Sequence, residues 1–209
     1  MQSRPIERPD FDHSTEVRLS PRRMLSVIIP TQNSERALVP TLAALVSGAT
    51  AGLIVEVIVA DAGSKDETAA VADVAGCDFR VIEGTLGHRL KAAAEATRAP
   101  WLMFLRPGVV LDTPWTNEVG RFAQHPTRNL QAATFRRGSA SQSALSEMLL
   151  LLSAALGASP RPEQGLLISK QFYQALGGHA EKSHDPETQL MRRIGRARCA
   201  RLTTSAYLA

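Results

Sequence analysis

The chain has 209 residues, of which 44% are apolar, a formal net charge of +4 and two cysteines, Cys77 and Cys199. This length suits one domain with its own core, and the wide separation of the cysteines matches neither a redox pair nor a zinc site. No uncharged stretch reaches the roughly 18 residues of a membrane span, and no secretory signal is visible, so we expect a cytoplasmic protein. Basic residues without interleaved aromatic residues argue against nucleic-acid binding.

The first 23 residues are polar, contain three prolines and lack helical or strand periodicity. We therefore expect residues 1–23 to form a flexible leader and residues 24–209 to form a single domain. The run from Leu25 to Ile29 is short, rich in β-branched residues and followed by Pro30, which predicts a strand buried on both faces.

A helix is predicted directly after this strand, over residues 34–46, with Ser34 placed to cap it. The same alternation of buried strand and amphipathic helix continues along the first half of the chain. The further strands are predicted over residues 54–60, 79–82 and 101–105, and the further helices over 66–75 and 88–98. Strands alternating with helices are typical of a parallel sheet that has helices on both faces.

The second half of the chain is less regular. We predict helices over residues 114–124, 144–156, 170–176 and 186–194, and strands over 130–136 and 166–169. The helix over 144–156 is apolar around most of its circumference, which favours burial between other elements over a membrane surface, since it lacks a basic polar face. A homo-oligomer formed through this helix is a further alternative.

Two strand ends carry polar motifs, Pro30-Thr31-Gln32-Asn33 and Asp61-Ala62-Gly63-Ser64. With the later segments WLMFLRPGVVL and EQGLLISKQFYQALGGHAEKSHDPETQLMRRIGR, they resemble family 2 inverting glycosyltransferases, in particular short bacterial members without a membrane domain. The resemblance implies the GT-A fold, a Rossmann-like single, mostly parallel central sheet flanked by helices. It also implies a nucleotide-binding half over 24–113 and an acceptor half over 114–209.

The resemblance further implies a UDP- or GDP-type sugar donor bound at the carboxyl ends of the strands, where backbone N–H groups meet phosphates. Asp61 would accept hydrogen bonds from the base, although a loop or helix-capping carboxylate is the alternative. His88 or Arg89 would meet the diphosphate, or would belong to a solvated basic helix face. The implied nucleotide-binding residues are Pro30, Thr31, Asn33, Asp61, Gly63, Ser64, His88 and Arg89.

The metal-binding Asp-x-Asp motif of the family is replaced here by Arg106-Pro107-Gly108. Magnesium and manganese need hard oxygen ligands, so we do not expect a conventional divalent metal site at this strand end. Arg106 could supply a fixed positive charge in place of the metal. The alternative is a loop arginine that remains after activity has been lost.

Inverting transfer needs a carboxylate to take the proton of the acceptor hydroxyl. Counting from Gly177-Gly178, the resemblance assigns this role to Glu187, with Asp185 as a neighbouring candidate. Acidic residues in a first helical turn also stabilise the helix dipole, which is the alternative role for both.

Two functions follow from the resemblance. The first is sugar transfer from a nucleotide-sugar to a small or lipid-linked acceptor, with inversion and without a conventional metal site. The second is a catalytically inactive GT-A module that binds a nucleotide or a protein partner, because three chemistry-bearing positions have changed. A nucleotidyltransferase is disfavoured, since the loop after the first strand has no glycine for a phosphate loop.

Overall fold

The computed structural model describes residues 24–138 and 164–209. The leader predicted for residues 1–23 and the helix predicted for residues 144–156 lie outside these described residues. The described strands are β1 (Leu25–Thr31), β2 (Ile54–Asp61), β3 (Asp78–Val81), β4 (Trp101–Phe104), β5 (Val109–Leu111), β6 (Ala132–Arg137), β7 (Leu166–Ser169) and β8 (Cys199–Leu208). The described helices are α1 (Glu35–Thr50), α2 (Thr68–Val74), α3 (Leu86–Ala96), α4 (Trp115–Gln124), α5 (Lys170–Ala175) and α6 (Pro186–Ile194).

These strands form one sheet in the order β3-β2-β1-β4-β7-β6-β8-β5. Strands β1 to β4 pair in parallel. Strand β7 runs antiparallel to both β4 and β6, so β6 has the same direction as β4, and β8 is parallel to β6. The carboxyl ends of β1, β2, β4, β6 and β8 therefore lie at one edge of the sheet, which we call the carboxyl edge.

Helices cover both faces of the sheet because the buried strands are apolar on both sides. Val27 and Ile29 belong to the core shared with α1, α2 and α4. Ile28 points to the opposite face and belongs to the core shared with α3, α5 and α6. The predicted single sheet with flanking helices is confirmed, with its parallel pairing concentrated in β1 to β4.

Most predicted elements agree with the structure to within a few residues, but β5 and β8 are absent from the prediction. Strand β5 has only three residues, and β8 mixes apolar residues with polar ones such as Arg201. Ser34 is the residue before α1, as predicted, but its side chain does not accept a hydrogen bond from the first turn of the helix. The Ser34 hydroxyl bonds to Gln32, whereas the backbone N–H of Glu35 donates to Asp66 Oδ2 over 3.1 Å.

Helices α1 and α4 meet at a position that requires glycine. A Cβ atom on Gly48 would lie 2.4 Å from Cη2 of Trp115, whose ring is only 1% exposed. The indole Nε1 donates to the carbonyl of Ala44 over 3.0 Å, which fixes the ring against α1. This contact anchors α4, and with it the strands of the second half, to the first half.

Candidate functional site

Asp61 organises the loop at the end of β2, and its side chain is fully buried. Its Oδ1 accepts hydrogen bonds from the hydroxyls of Thr31 (2.7 Å) and Ser64 (2.5 Å). Its Oδ2 accepts from the backbone N–H groups of Gly63 (2.7 Å) and Ser64 (2.6 Å). Burial raises the pKa of Asp61, but these hydrogen bonds together outweigh that effect and hold the pKa below its usual value.

The loops after β1 and β2 are tied directly to each other. Asn33 adopts a left-handed backbone conformation, with φ of 49°, which asparagine tolerates better than most residues. Its backbone N–H donates to Ser64 Oγ over 2.7 Å, and its Oδ1 accepts from the backbone N–H of Lys65 over 2.8 Å. The structure therefore brings together most of the predicted nucleotide-binding residues at the carboxyl edge. We call this set the nucleotide platform: Pro30, Thr31, Asn33, Asp61, Gly63 and Ser64.

Arg89 binds the backbone of the nucleotide platform at the ends of β1 and β2. Its side chain is 8% exposed, and its Nη1 donates to the carbonyls of Thr31 (2.8 Å) and Ala60 (3.4 Å). Its Nε is buried without a hydrogen-bond partner in the part of the chain that the structure describes. The alternative of a solvated helix face is wrong for Arg89, because the guanidinium lies under the strand ends.

His88, the neighbour of Arg89 on α3, is exposed. Its Nδ1 is 3.5 Å from the carboxylate of Glu181, which also accepts from Lys91 Nζ over 2.7 Å. The Thr85 hydroxyl donates to the backbone carbonyl of Glu181. These contacts attach the start of α3, in the first half of the chain, to the loop that precedes α6.

Arg106 and Glu187, predicted separately as a metal substitute and a base, form an ion pair. The Arg106 guanidinium donates through Nε and Nη2 to the Glu187 carboxylate, with Nε 3.1 Å from Oε2 and 3.3 Å from Oε1. The Glu187 side chain is 14% exposed and that of Arg106 is 39% exposed. The tertiary fold thus joins the end of β4 to the first turn of α6.

Asp185 has a structural role in the same turn. Its Oδ1 accepts from the backbone N–H of Thr188 over 3.1 Å, which caps α6. The hydrogen bonds from Thr188, with smaller contributions from the charges of Arg106 and Arg192, lower the pKa of Asp185. The contacts of Asp185 are therefore those of a residue that stabilises the first turn of α6. The Glu187 side chain binds Arg106 instead.

A small, partly open pocket lies beside the ion pair. Glu187 supplies its carboxylate, and most of the other lining side chains are apolar. The lining residues are Phe104, Thr134, Gly165, Leu166, His179, Glu187 and Met191. The pocket therefore places the Glu187 carboxylate against a mostly apolar surface.

His179, which the sequence analysis did not select, lies in this pocket as a neutral imidazole. Its Nδ1 is 2.8 Å from the Tyr173 hydroxyl, which also accepts from the backbone N–H of His179 over 3.1 Å. Burial, reinforced by the charge of Arg193, lowers the pKa of His179 to about 3. Its position next to the Gly177-Gly178 turn was the available sequence signal.

The residues at the end of β4 do not fit a conventional magnesium or manganese site. These ions require several oxygen ligands, whereas the strand end presents Arg106, which binds the nearby carboxylate of Glu187. Among the described residues, no group of three or more His, Cys, Asp or Glu side chains could hold a metal ion. That the protein works without a conventional magnesium or manganese site stays a prediction.

The sequence model of the family described as "Glycosyl transferase family 2" matches residues 26–134, more than half of the chain. The chain belongs to glycosyl transferase family 2. The matched segment contains the whole nucleotide platform and Arg106. Among curated proteins, no sequence match is found.

Solved structures of glycosyltransferases share the fold. Glucosyl-3-phosphoglycerate synthase from Mycobacterium tuberculosis, in complex with Mn²⁺, UDP and glucosyl-3-phosphoglycerate, is 19% identical with a TM-score of 0.61, over 88% of this chain and 71% of that one. Its complex with Mn²⁺, UDP-glucose and phosphoglyceric acid is 20% identical with a TM-score of 0.60 and the same coverage. S. aureus TarS residues 1–349 are 15% identical with a TM-score of 0.66, over 89% of this chain and 60% of that one. These similarities confirm the predicted GT-A fold.

Proposed function

We propose that this family 2 protein transfers a sugar from a UDP-sugar to an acceptor hydroxyl, with inversion at the anomeric carbon and without an Asp-x-Asp metal site. The observation that carries the proposal is the ion pair of Arg106 and Glu187, because it brings a fixed cation and a carboxylate together beside the nucleotide platform. Uridine is favoured over guanosine because the mycobacterial synthase was solved with UDP and with UDP-glucose.

The nucleotide platform would bind the uridine at the carboxyl edge of the sheet, where ligands of open α/β sheets bind. To contact the base, Asp61 must share or replace one of its four hydrogen bonds. Arg106 would stabilise the negative charge that develops on the diphosphate as the sugar departs.

Glu187 would act as the general base. It takes the proton of the acceptor hydroxyl as the acceptor oxygen forms a bond to the anomeric carbon. The bond between that carbon and the diphosphate oxygen breaks, its electron pair goes to the diphosphate, and UDP leaves. We expect the part of the acceptor that carries the attacking hydroxyl to contact the pocket beside Glu187.

The test is UDP release from a panel of UDP-sugars and acceptors, with the anomeric configuration of the product read by NMR. We expect Glu187→Gln to lower kcat by about 10² to 10⁴, because general-base catalysis contributes that much. Asp185→Asn should have a smaller effect through the helix cap, and the exposed Glu83→Gln should have none. A fully active Glu187→Gln variant or a product of retained configuration would contradict the proposal.

The second candidate function is an inactive GT-A module that binds the nucleotide without turnover. Two observations favour it: the Asp61 carboxylate is fully used within its loop, and Arg106 is engaged with Glu187. In that case UDP binding would be measurable, while every tested acceptor would leave the UDP-sugar intact.

We further propose that the protein works in the cytoplasm as one domain over 24–209, with a nucleotide-binding half over 24–113 and an acceptor half over 114–209. Free Cys77 and Cys199 are consistent with a reducing compartment. No helix among residues 24–138 and 164–209 is long and apolar enough to cross a membrane. We also propose a small or lipid-linked acceptor, which acceptor screens would test. A homo-oligomer is a further proposal, which light scattering would test.

A further inference from the structure

Two arginines lie on the pocket side of the sheet and have no role in the site described so far. Arg136 is near the carboxyl end of β6, and Arg201 is on the neighbouring strand β8. Both are exposed. Within the described part of the chain, neither forms a hydrogen bond or an ion pair with another side chain.

The register of the strands shows which face Arg136 occupies. Side chains alternate along a strand, so Arg136 shares a face with Thr134, which lines the pocket. Arg137 points to the opposite face: its partner on β8 is Ala206, which belongs to the core on that other side. The pairing of β6 with β8 is irregular after Thr134, where β8 has additional residues between Arg201 and Ser205. Because the additional residues are on β8, the side chains of β6 still alternate between the two faces of the sheet.

Arg201 reaches the same face from the adjacent strand. It pairs directly with Thr134, and its neighbours Ala200 and Leu202 pack on the opposite core. Neighbouring strands lie about 4.8 Å apart, and two residues along a strand span about 6.8 Å. Long guanidinium side chains from these two positions can therefore meet one ligand next to Thr134.

The local charges favour an anion here. The carboxylate in the pocket, Glu187, is already paired with Arg106, and Asp185 is held at the cap of α6. His179 is neutral and adds no charge. Arg136 and Arg201 thus add positive charge to the pocket face, and Glu187 and Asp185 do not neutralise this charge because they are engaged elsewhere.

Resting on the proposed transferase function, we propose that the acceptor carries a phosphate group, which Arg136 and Arg201 bind while its hydroxyl lies in the pocket near Glu187. Arginine suits this role because its planar set of N–H donors makes paired, charge-assisted hydrogen bonds to phosphate oxygens. The phosphate belongs either to a soluble metabolite or to a lipid headgroup, since the same contacts recognise both.

The experiment measures binding of glycerol 3-phosphate, with glycerol as its uncharged partner, to the full chain in the presence of saturating UDP. UDP keeps the nucleotide platform occupied, so that the phosphate probe reports on the acceptor side. The variants are Arg136→Gln and Arg201→Gln, and the matched control is Arg137→Gln, an arginine that is also exposed but lies one residue along, on the opposite face. A second arm uses phosphatidylcholine vesicles with and without phosphatidic acid.

We expect a phosphate-bearing probe to bind and its uncharged counterpart not to bind. Arg136→Gln and Arg201→Gln should each weaken binding about 10-fold or more, and Arg137→Gln less than about 2-fold. Binding of glycerol 3-phosphate identifies a soluble source, and binding of phosphatidic acid vesicles alone identifies a lipid source. Equal losses in all three variants, or no binding of either probe, would overturn the proposal.

Separate titrations with UDP distinguish this inference from the proposed function. If wild type binds UDP and all three variants bind it with similar affinity, a failure to bind phosphate probes counts against the acceptor site alone. If wild type does not bind UDP, the transferase function itself fails, whatever the phosphate probes do. Thermal melts of each variant confirm that the fold is retained.

Discussion

Asp61 is the residue on which the shape of the nucleotide platform depends most directly, because four donors converge on its two oxygens. Asp61→Asn places an NH₂ donor against N–H or O–H donors, so we expect unfolding to need about 1–3 kcal/mol less free energy at pH 7. UDP affinity should fall as well. Urea unfolding and UDP titration measure both effects.

Asp73→Asn is the control, since Asp73 is exposed on α2. Because the folded-state pKa of Asp61 is depressed, its contribution is present above the unfolded value of about 3.9 and is lost as the pH falls through the folded value. The stability difference between wild type and Asp61→Asn should therefore shrink in strong acid. A variant as stable as Asp73→Asn at pH 7 would show that the loop does not depend on this carboxylate.

His179 predicts acid sensitivity of the acceptor side. Its folded-state pKa of about 3 lies below the unfolded value of about 6.5, so below pH 6.5 the unfolded chain binds a proton that the folded chain does not. Its contribution to stability is complete above pH 6.5 and falls on acidification, by about 2 kcal/mol at pH 5. Urea unfolding at pH 7 and pH 5 measures this loss.

His179→Phe should reduce the loss of stability between pH 7 and pH 5 by about that amount. His184→Gln, at an exposed histidine, serves as the control and should leave the loss unchanged. Equal losses in wild type and His179→Phe would mean that His179 accepts a proton in the folded state.

The sequence identified the platform residues because strand ends and turn motifs are local signals. It also selected Arg106 and Glu187, but their ion pair joins positions 81 residues apart and depends on the tertiary fold. Arg89 illustrates the opposite outcome, because a helical arginine looks like a surface residue until the packing of α3 under β1 and β2 buries it. His179 was missed because its place next to the Gly177-Gly178 turn is the only local signal, and its burial in the pocket depends on the tertiary fold.

At the scale of elements, the contact between α1 and α4 predicts a clear difference between two glycines. Gly48→Ala forces a methyl group against the buried Trp115 ring, so we expect a loss of about 1–3 kcal/mol despite the better helix propensity of alanine. Gly120 in α4 has nothing within 4 Å of its added Cβ atom. Gly120→Ala should be neutral or stabilising by up to about 1 kcal/mol.

Chemical denaturation of both alanine variants measures these effects. Equal stability of the two variants would show that α1 and α4 adjust at no cost. The pair is informative because both substitutions make the same chemical change within a helix, and only the space around the added methyl group differs.

The elements of the first half were predictable because buried parallel strands are short apolar runs and the helices between them are amphipathic. Strand β8 was not, since it is ten residues long but includes arginine, threonine and serine. Its position depends on tertiary contacts, among them the Glu118 carboxylate, which accepts from the backbone N–H groups of Thr203 (2.7 Å) and Thr204 (2.8 Å). Such a strand is recognisable only after α4 has been placed.

At the scale of the whole molecule, the two halves of the chain meet at the proposed reaction centre. The first half supplies the nucleotide platform and Arg106, and the second supplies Glu187, the pocket and the two arginines of the phosphate site. The Arg106–Glu187 pair and the contacts of Glu181 with α3 both cross between the halves. In the proposed function, donor binding should therefore depend on a positive charge that the fold holds in place.

The measurement that tests this most directly is calorimetric titration of UDP in EDTA and in manganese, with wild type, Arg106→Ala and the control Arg137→Ala. We predict that UDP binds in EDTA and that Arg106→Ala weakens binding by about 1.5–3 kcal/mol, while Arg137→Ala has little effect. UDP binding that requires manganese, or an Arg106→Ala variant with wild-type affinity in EDTA, would contradict the account.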